Sequence, residues 1–455
     1  MQRASGSGPR RRMAWVYSVF PASIAAGPLG TIVQLYLIEL NGVTLGTLYG
    51  SLAVAIYNGV GIPAAIFWGF ATDRLRRRRA IIAASYGVLA LVLFSFYLDR
   101  TSAGTILTYS VFSFISAASA TPLNLLIMET ENKGRWPGAF ARLSMMSSVG
   151  SVGGLLLSTV WVEALPLLDL AVPLGVFSLV SAVLAVATIR DPAINFEPET
   201  MVLRRPSFFQ RLLALPLIFL TVPKVSDFRR VFRGLRSGLT NYVPLFYISI
   251  VLFYLSSGLF NTSFAPAMRS FGIPEGEIFA VMLAGMAVQT LAFQVAGRYV
   301  EQRSLTMSSV QGLLVRGVCY GGLGAAAVFL PSLLFLGPAL VLYPLGAGIA
   351  FSVYYTASNT MMFGTVQGKN PGASLGVYSA VVGLAGTVGS LASGFISVYS
   401  GFYVTFTAAS VLLYLAVFVV SRLPREPRST RLPRLNGTRA PIGRSLPEPP
   451  QLNTR

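Results

Sequence analysis

The chain has 455 residues, enough for two or three soluble domains, but 54% of them are hydrophobic, only 11% are charged and the mean hydropathy is +0.65, which excludes a soluble globular protein. One cysteine, Cys319, and no histidine exclude an intrachain disulfide, His or paired-Cys metal sites, haem ligation and Cys/His nucleophile chemistry. The net charge of +19 comes from 35 basic against 16 acidic residues, and the arginines sit in a few connecting segments and the tail, a pattern that orients membrane helices and does not point to nucleic acid.

A spanning helix needs about 20 mostly apolar residues. Apolar runs between charged or Gly/Pro-rich breaks predict six spans at 14–37, 45–70, 80–98, 104–128, 138–161 and 167–189, then six more at 242–264, 278–296, 307–330, 333–362, 373–398 and 402–420. The expected fold is an all-α membrane protein with twelve transmembrane helices in two six-helix bundles. Its parts are an N-tail (1–13), a first bundle (14–190), a basic linker (191–241), a second bundle (242–421) and a tail (422–455) rich in proline and arginine, read as disordered.

Alternate loops fall on opposite sides. Arg100 and Arg269 lie in loops on one side and Arg142 and Arg316 inside predicted spans, while the other 31 of the 35 basic residues share the side of both termini. Both termini are therefore expected in the cytoplasm of a multi-pass protein of the cell (plasma) membrane. Arg10, Arg11 and Arg12 before an apolar run also suit a secretory signal, but the run continues to Leu37 and reads better as a first span. In the linker, Phe228, Val231, Phe232, Leu235 and Leu239 share one helical face opposite Arg229, Arg230, Arg233 and Arg236. Such an amphipathic helix lies on the anionic inner leaflet, as a regulatory element or as a plain snorkelling connector.

The chain repeats itself. Asn41 to Tyr49 aligns with Phe271 to Phe279 at an offset of 230, a Pro-Gly-Ala shared around Ala139 and Ala373 follows, and Gly150-x-x-Gly153 matches Gly386-x-x-Gly389. A six-helix unit is duplicated in parallel, since an even number of spans returns the second copy to the same side.

After the second span stands Gly69-Phe70-Ala71-Thr72-Asp73-Arg74-Leu75-Arg76-Arg77-Arg78. Through Gly69, Asp73, Arg74, Arg77 and Arg78 it resembles the signature loop between helices two and three of the major facilitator superfamily, with Arg76 where the family commonly has a second glycine. A degraded copy, with Gly297, Glu301 and Arg303, follows 228 residues on. The resemblance implies two pseudo-symmetric bundles, a central cavity lined by helices one, four, seven and ten, rocking between two openings, and a conformational role for the motif. In that role Gly69 allows close helix approach and Asp73 caps a helix or binds an arginine; a plain positive-inside cluster accounts for the arginines alone. The fifth span only partly resembles the glycine-rich element of drug/proton antiporters, with Gly150 where those carry proline.

Amides pair across the repeat: Gln34 with Asn261, Asn58 with Gln289, and Asn124 with Asn359. They are candidates for substrate binding or gating, against ordinary interhelical bonding. Tyr109, Phe253, Tyr254, Tyr354 and Tyr355 are candidates for stacking on a ligand, and Pro21, Gly27, Pro28, Pro122, Pro338 and Pro344 for kinks around a cavity. Arg316 either binds an anionic group or snorkels, and Arg142 lies close enough to Glu129 or Glu131 to pair. No carboxylate falls near the centre of a span, so uniport is expected, or coupling through Glu129, whose alternative is a plain ion pair. The leading expectation is a monomeric secondary transporter of a small neutral or amphiphilic solute, an exporter in the simplest case, with membrane lipids as its other partner and no cofactor. The alternatives are a transporter-like receptor or lipid-moving protein, and, without a carboxylate or Ser-Lys constellation in the spans to support it, a membrane-embedded enzyme.

Overall fold

The computed structural model describes residues 14–75, 77–98, 100–130, 136–189, 242–330, 332–365 and 371–423. The N-tail, the basic linker, residues 424–455 and the side chains of Asp73, Arg74 and Glu129 lie outside the described residues.

Among the described residues, eleven helical stretches are long and apolar enough to cross a membrane, and the first, Ala14–Gly69, is 56 residues long. At a rise of about 1.5 Å per residue it far exceeds a hydrocarbon core of about 30 Å, and the chain resolves this by breaking. A 3-10 turn (Ala14–Ser18) leads into α1 (Val19–Ala26), and Gly27 and Pro28 separate that from α2 (Leu29–Leu75). Inside α2, Gly42 leaves helical geometry at φ 75° and ψ 170°. Only glycine takes that φ without strain, so α2 turns back on itself and carries the rest of the first span and all of the second. That makes twelve spans.

The others follow as α3 (Arg78–Leu98), α4 (Ser102–Thr130), α5 (Trp136–Trp161) and α6 (Ala171–Thr188). The second half begins with α7 (Tyr242–Ser270), α8 (Glu275–Glu301) and α9 (Leu305–Phe329). The tenth span runs through α10 (Leu336–Tyr343), a π-helical stretch Pro344–Ala350 and α11 (Phe351–Thr365), and α12 (Pro371–Ser400) and α13 (Phe402–Ser421) complete the chain. The kink expected at Pro344 is thus a widened turn. Proline lacks an N–H and its ring clashes with the carbonyl four residues back, and a π-helical turn gives that carbonyl room.

The sequence repeat is also a repeat of packing. Gly272, the partner of Gly42 at the offset of 230, has φ 80°. A Cβ on Gly150 of α5 would stand 2.5 Å from Phe20 O of α1, and one on Gly258 of α7 would stand 2.7 Å from Gly386 O of α12. First and fifth spans, and seventh and eleventh, therefore meet backbone to backbone, as small residues permit in membranes.

The two halves meet along a seam. Asn58 Nδ2 of α2 donates to Ser390 Oγ of α12 at 3.3 Å, and Thr31 Oγ1 of α2 donates to Met282 Sδ of α8 at 3.0 Å. A Cβ on Gly276 of α8 would lie 3.6 Å from Thr159 O of α5. These contacts run from mid-span to the end opposite the termini, where Leu37, Phe264, Met268, Ile273, Ile278 and Phe279 are all fully buried. That far end is closed.

Candidate functional site

Between the halves, on the side of the termini, lies a cavity of about 520 Å³. Its first wall comes from α1, α3, α4 and α5 and carries six serines, Ser23, Ser116, Ser119, Ser144, Ser147 and Ser148. Ser116 and Ser119 lie one turn apart on α4, and Ser144, Ser147 and Ser148 share one face of α5. Ser23 Oγ donates to Ser147 Oγ at 3.0 Å, joining α1 to α5. Ser116 and Ser119 donate to the carbonyls of Ser113 and Ser116 at 2.9 and 3.0 Å. A hydroxyl that donates to its own helix keeps its lone pairs, so this wall offers acceptors.

The second wall comes from α8 and α11 and is aromatic. Phe351 and Tyr355 stack with centroids 5.3 Å apart, and Phe293 meets them edge-on at 6.2 and 5.9 Å. Gln289 adds an amide, while Ser352 Oγ donates to Gln289 O at 3.2 Å and fixes α11 against α8. Asn124, Ser144 and Tyr355 are exposed within the opening. The arrangement suits a solute with one polar, hydrogen-bond-donating side and one flat apolar side.

Of the six amides expected in the site, Asn124 and Gln289 line the cavity. Asn58 ties the seam, the interhelical role that was its alternative. Gln34 is buried against Gly50 of the same helix, Asn261 is exposed on α7 and Asn359 is half-buried on α11, all three outside the lining. Of the five aromatics only Tyr355 lines it. Tyr109 stacks on Tyr57 at 4.5 Å, and Tyr354 packs on Phe253 at 4.1 Å. The expectation of a cavity lined by spans one, four, seven and ten is corrected in part. Spans one, four and ten contribute, but so do three, five and eight, and no lining residue comes from span seven.

The motif residues stand at the open end. Among the described residues, a Cβ on Gly69 would meet nothing within 4 Å, and the same holds for Gly297. No neighbour among them makes the close approach expected at Gly69. Beside it Ala71, Leu75 and Ile81 form a small core with Phe67 and Trp68, and Trp68 Nε1 donates to Phe114 O at 2.9 Å. Asp73 and Arg74 close α2, Arg77 is exposed and Arg78 half-buried. In the copy, Arg303 lies 4.5 Å over the Tyr299 ring and donates to Gln311 Oε1 at 3.1 Å, while Glu301 is exposed. Arg142 is exposed near the start of α5, and Glu129 belongs to the last turn of α4.

Arg316 does not snorkel. It sits in the middle of α9 with 2% of its surface exposed. Its Nε donates to Tyr320 Oη at 2.8 Å and its Nη2 to Ser257 Oγ at 3.3 Å.

Residues 246–447 match the family model of the Major Facilitator Superfamily. No curated protein matches the sequence. The fold is similar to that of the nucleoside transporter NupG, at TM-score 0.65 and 13% identity over 91% of this chain and 99% of that one. It is also similar to a POT family transporter in complex with 5-aminolevulinic acid, at TM-score 0.64 and 13% identity over 92% and 96% of the two chains. The human organic anion transporter MFSD10 gives a TM-score of 0.60 at 16% identity over 91% of this chain and 100% of its own. At these identities the likeness is one of fold.

Proposed function

We propose that the chain belongs to the major facilitator superfamily, whose family model matches residues 246–447, and that it is a secondary transporter that moves a small neutral or amphiphilic solute by alternating access. The observation that carries this reading is the cavity itself: it lies between two duplicated halves, is open at the end of the termini and is closed by the far seam. A solute entering there meets serine acceptors on one side and three aromatic faces on the other. Opening the far seam while closing the near end would deliver it across the bilayer, and both walls would travel with their own half.

The charge asymmetry supports cytoplasmic termini; on this reading the open state presents the cavity to the cell interior and export follows as its simplest direction. In the opposite state the motif around Gly69, Asp73 and Arg74 would pack against the closing near end. The test is flux in proteoliposomes across a panel of neutral and amphiphilic solutes. Accumulation of at least one solute, chemically unchanged, competed by excess unlabelled solute and absent from protein-free vesicles, is the expected result. Solutes that bind the purified protein but never cross would overturn transport in favour of a receptor.

A further inference from the structure

Arg316 is a cation in the middle of a membrane helix, and among the described residues no carboxylate pairs with it. Its charge faces rings instead, with Cζ 4.9 Å from the Phe253 centroid, 5.1 Å from Tyr320 and 5.2 Å from Phe351. Aromatic faces compensate a buried cation only in part. Two hydrogen bonds use Nε and one end of the fork, whereas Nη1, which carries two of the five N–H donors, meets no acceptor. A guanidinium with a free pair of donors, held in place by Tyr320 and Ser257, has the geometry that binds an oxyanion.

Phe351 connects this group to the cavity: its ring packs on the guanidinium and also lines the aromatic wall. Phe351 directly follows the π-helical stretch Pro344–Ala350. A one-residue change of helical register there would carry Phe351 about 100° around the axis. Gly346 and Gly348 let this stretch lie close against Cys319 and Val288.

We propose that Arg316 is a receptor for an anionic group, a carboxylate or similar oxyanion, that enters from the central cavity when Phe351 moves aside. This rests on the reading of the cavity as a solute site and specifies that reading, since the amphiphilic solute then carries its negative group toward the second half. The same chemistry fits a small free anion that occupies the site alongside the solute. Carboxylate on a solute and free halide are distinguished by the probes.

The test is the thermal stability of the purified full chain with benzoate, benzamide or chloride, followed by titration of whichever anion protects it. Benzoate is expected to raise the melting temperature of wild type and benzamide not to; protection by chloride in place of benzoate assigns the site to a free anion. Arg316→Gln should weaken the protecting anion roughly tenfold or more, as loss of a charged hydrogen-bond partner does, and Arg316→Lys should weaken it less. Phe351→Ala keeps the guanidinium and removes the ring in front of it, so it should bind the anion more tightly than wild type. Equal protection in wild type and Arg316→Gln, or no protection by either anion in wild type and Phe351→Ala, would overturn the proposal. Anion binding that depends on Arg316 without flux of any solute would leave the receptor standing and sink transport, and flux that is untouched in Arg316→Gln, with no anion bound, would do the reverse.

Discussion

Tyr355 and Phe293 give the cavity its flat apolar face, and each aromatic contact of that kind contributes about 0.5–1.5 kcal/mol beyond burial. Tyr355→Ala and Phe293→Ala should each raise KM for a transported solute roughly two- to tenfold. Tyr109→Phe, at a ring stacked on Tyr57 outside the cavity lining, should leave KM unchanged. Initial-rate uptake at matched expression separates them, and the reverse ranking would show that the aromatic wall is packing alone. Only one of these rings, Tyr355, is among the aromatics singled out from the sequence. A helix in lipid is apolar all round, because acyl chains are as apolar as the protein interior, so sequence assigns a residue to a span without assigning it to a face. The serine wall escaped notice for a related reason. Serines are ordinary in membrane helices and satisfy themselves on their own backbone, so the i, i+3, i+4 spacing of Ser144, Ser147 and Ser148 is the one signal that marks them.

Helices are held together here where side chains are absent. A valine at Gly150 would drive its Cβ against Phe20 O at 2.5 Å, and overpacking of this kind costs about 1–3 kcal/mol. Gly150→Val should therefore lower the melting temperature by several degrees, roughly in line with that cost. Gly69→Ala, where a Cβ meets no described atom within 4 Å, should be neutral or mildly stabilising, since alanine is the better helix former. Thermal unfolding in detergent decides, and a loss at Gly69 as large as at Gly150 would mean that the motif glycine is packed after all. Span positions were legible because charge and Gly/Pro breaks bound them. The ninth span, expected at 307–330, is α9, Leu305–Phe329, and Gly42 and Gly272, which align in the sequence repeat, share a positive φ. The π-helical stretch was not legible, because Pro344 announces a disturbed hydrogen-bond ladder without saying whether the helix bends or widens.

At the scale of the molecule, one duplicated unit makes both walls of the cavity, and the seam between the copies is closed at the far end and open at the end of the termini. The duplication was visible in the sequence as fixed offsets, whereas the state of the seam was not, because under the proposed alternating access both states would use the same helices and differ only in which ends touch. The central claim is that a single cavity faces the two sides of the membrane in turn. Ser116 lies midway along α4 and lines that cavity, so Ser116→Cys in a Cys319→Ser background reports its access. The measurement is the rate of modification by a charged, membrane-impermeant thiol reagent in right-side-out and in inside-out vesicles. Alternating access predicts modification in both, faster from the side of the termini, where this structure is open. Modification from that side alone, with none from the other, would describe a fixed vestibule and contradict the account.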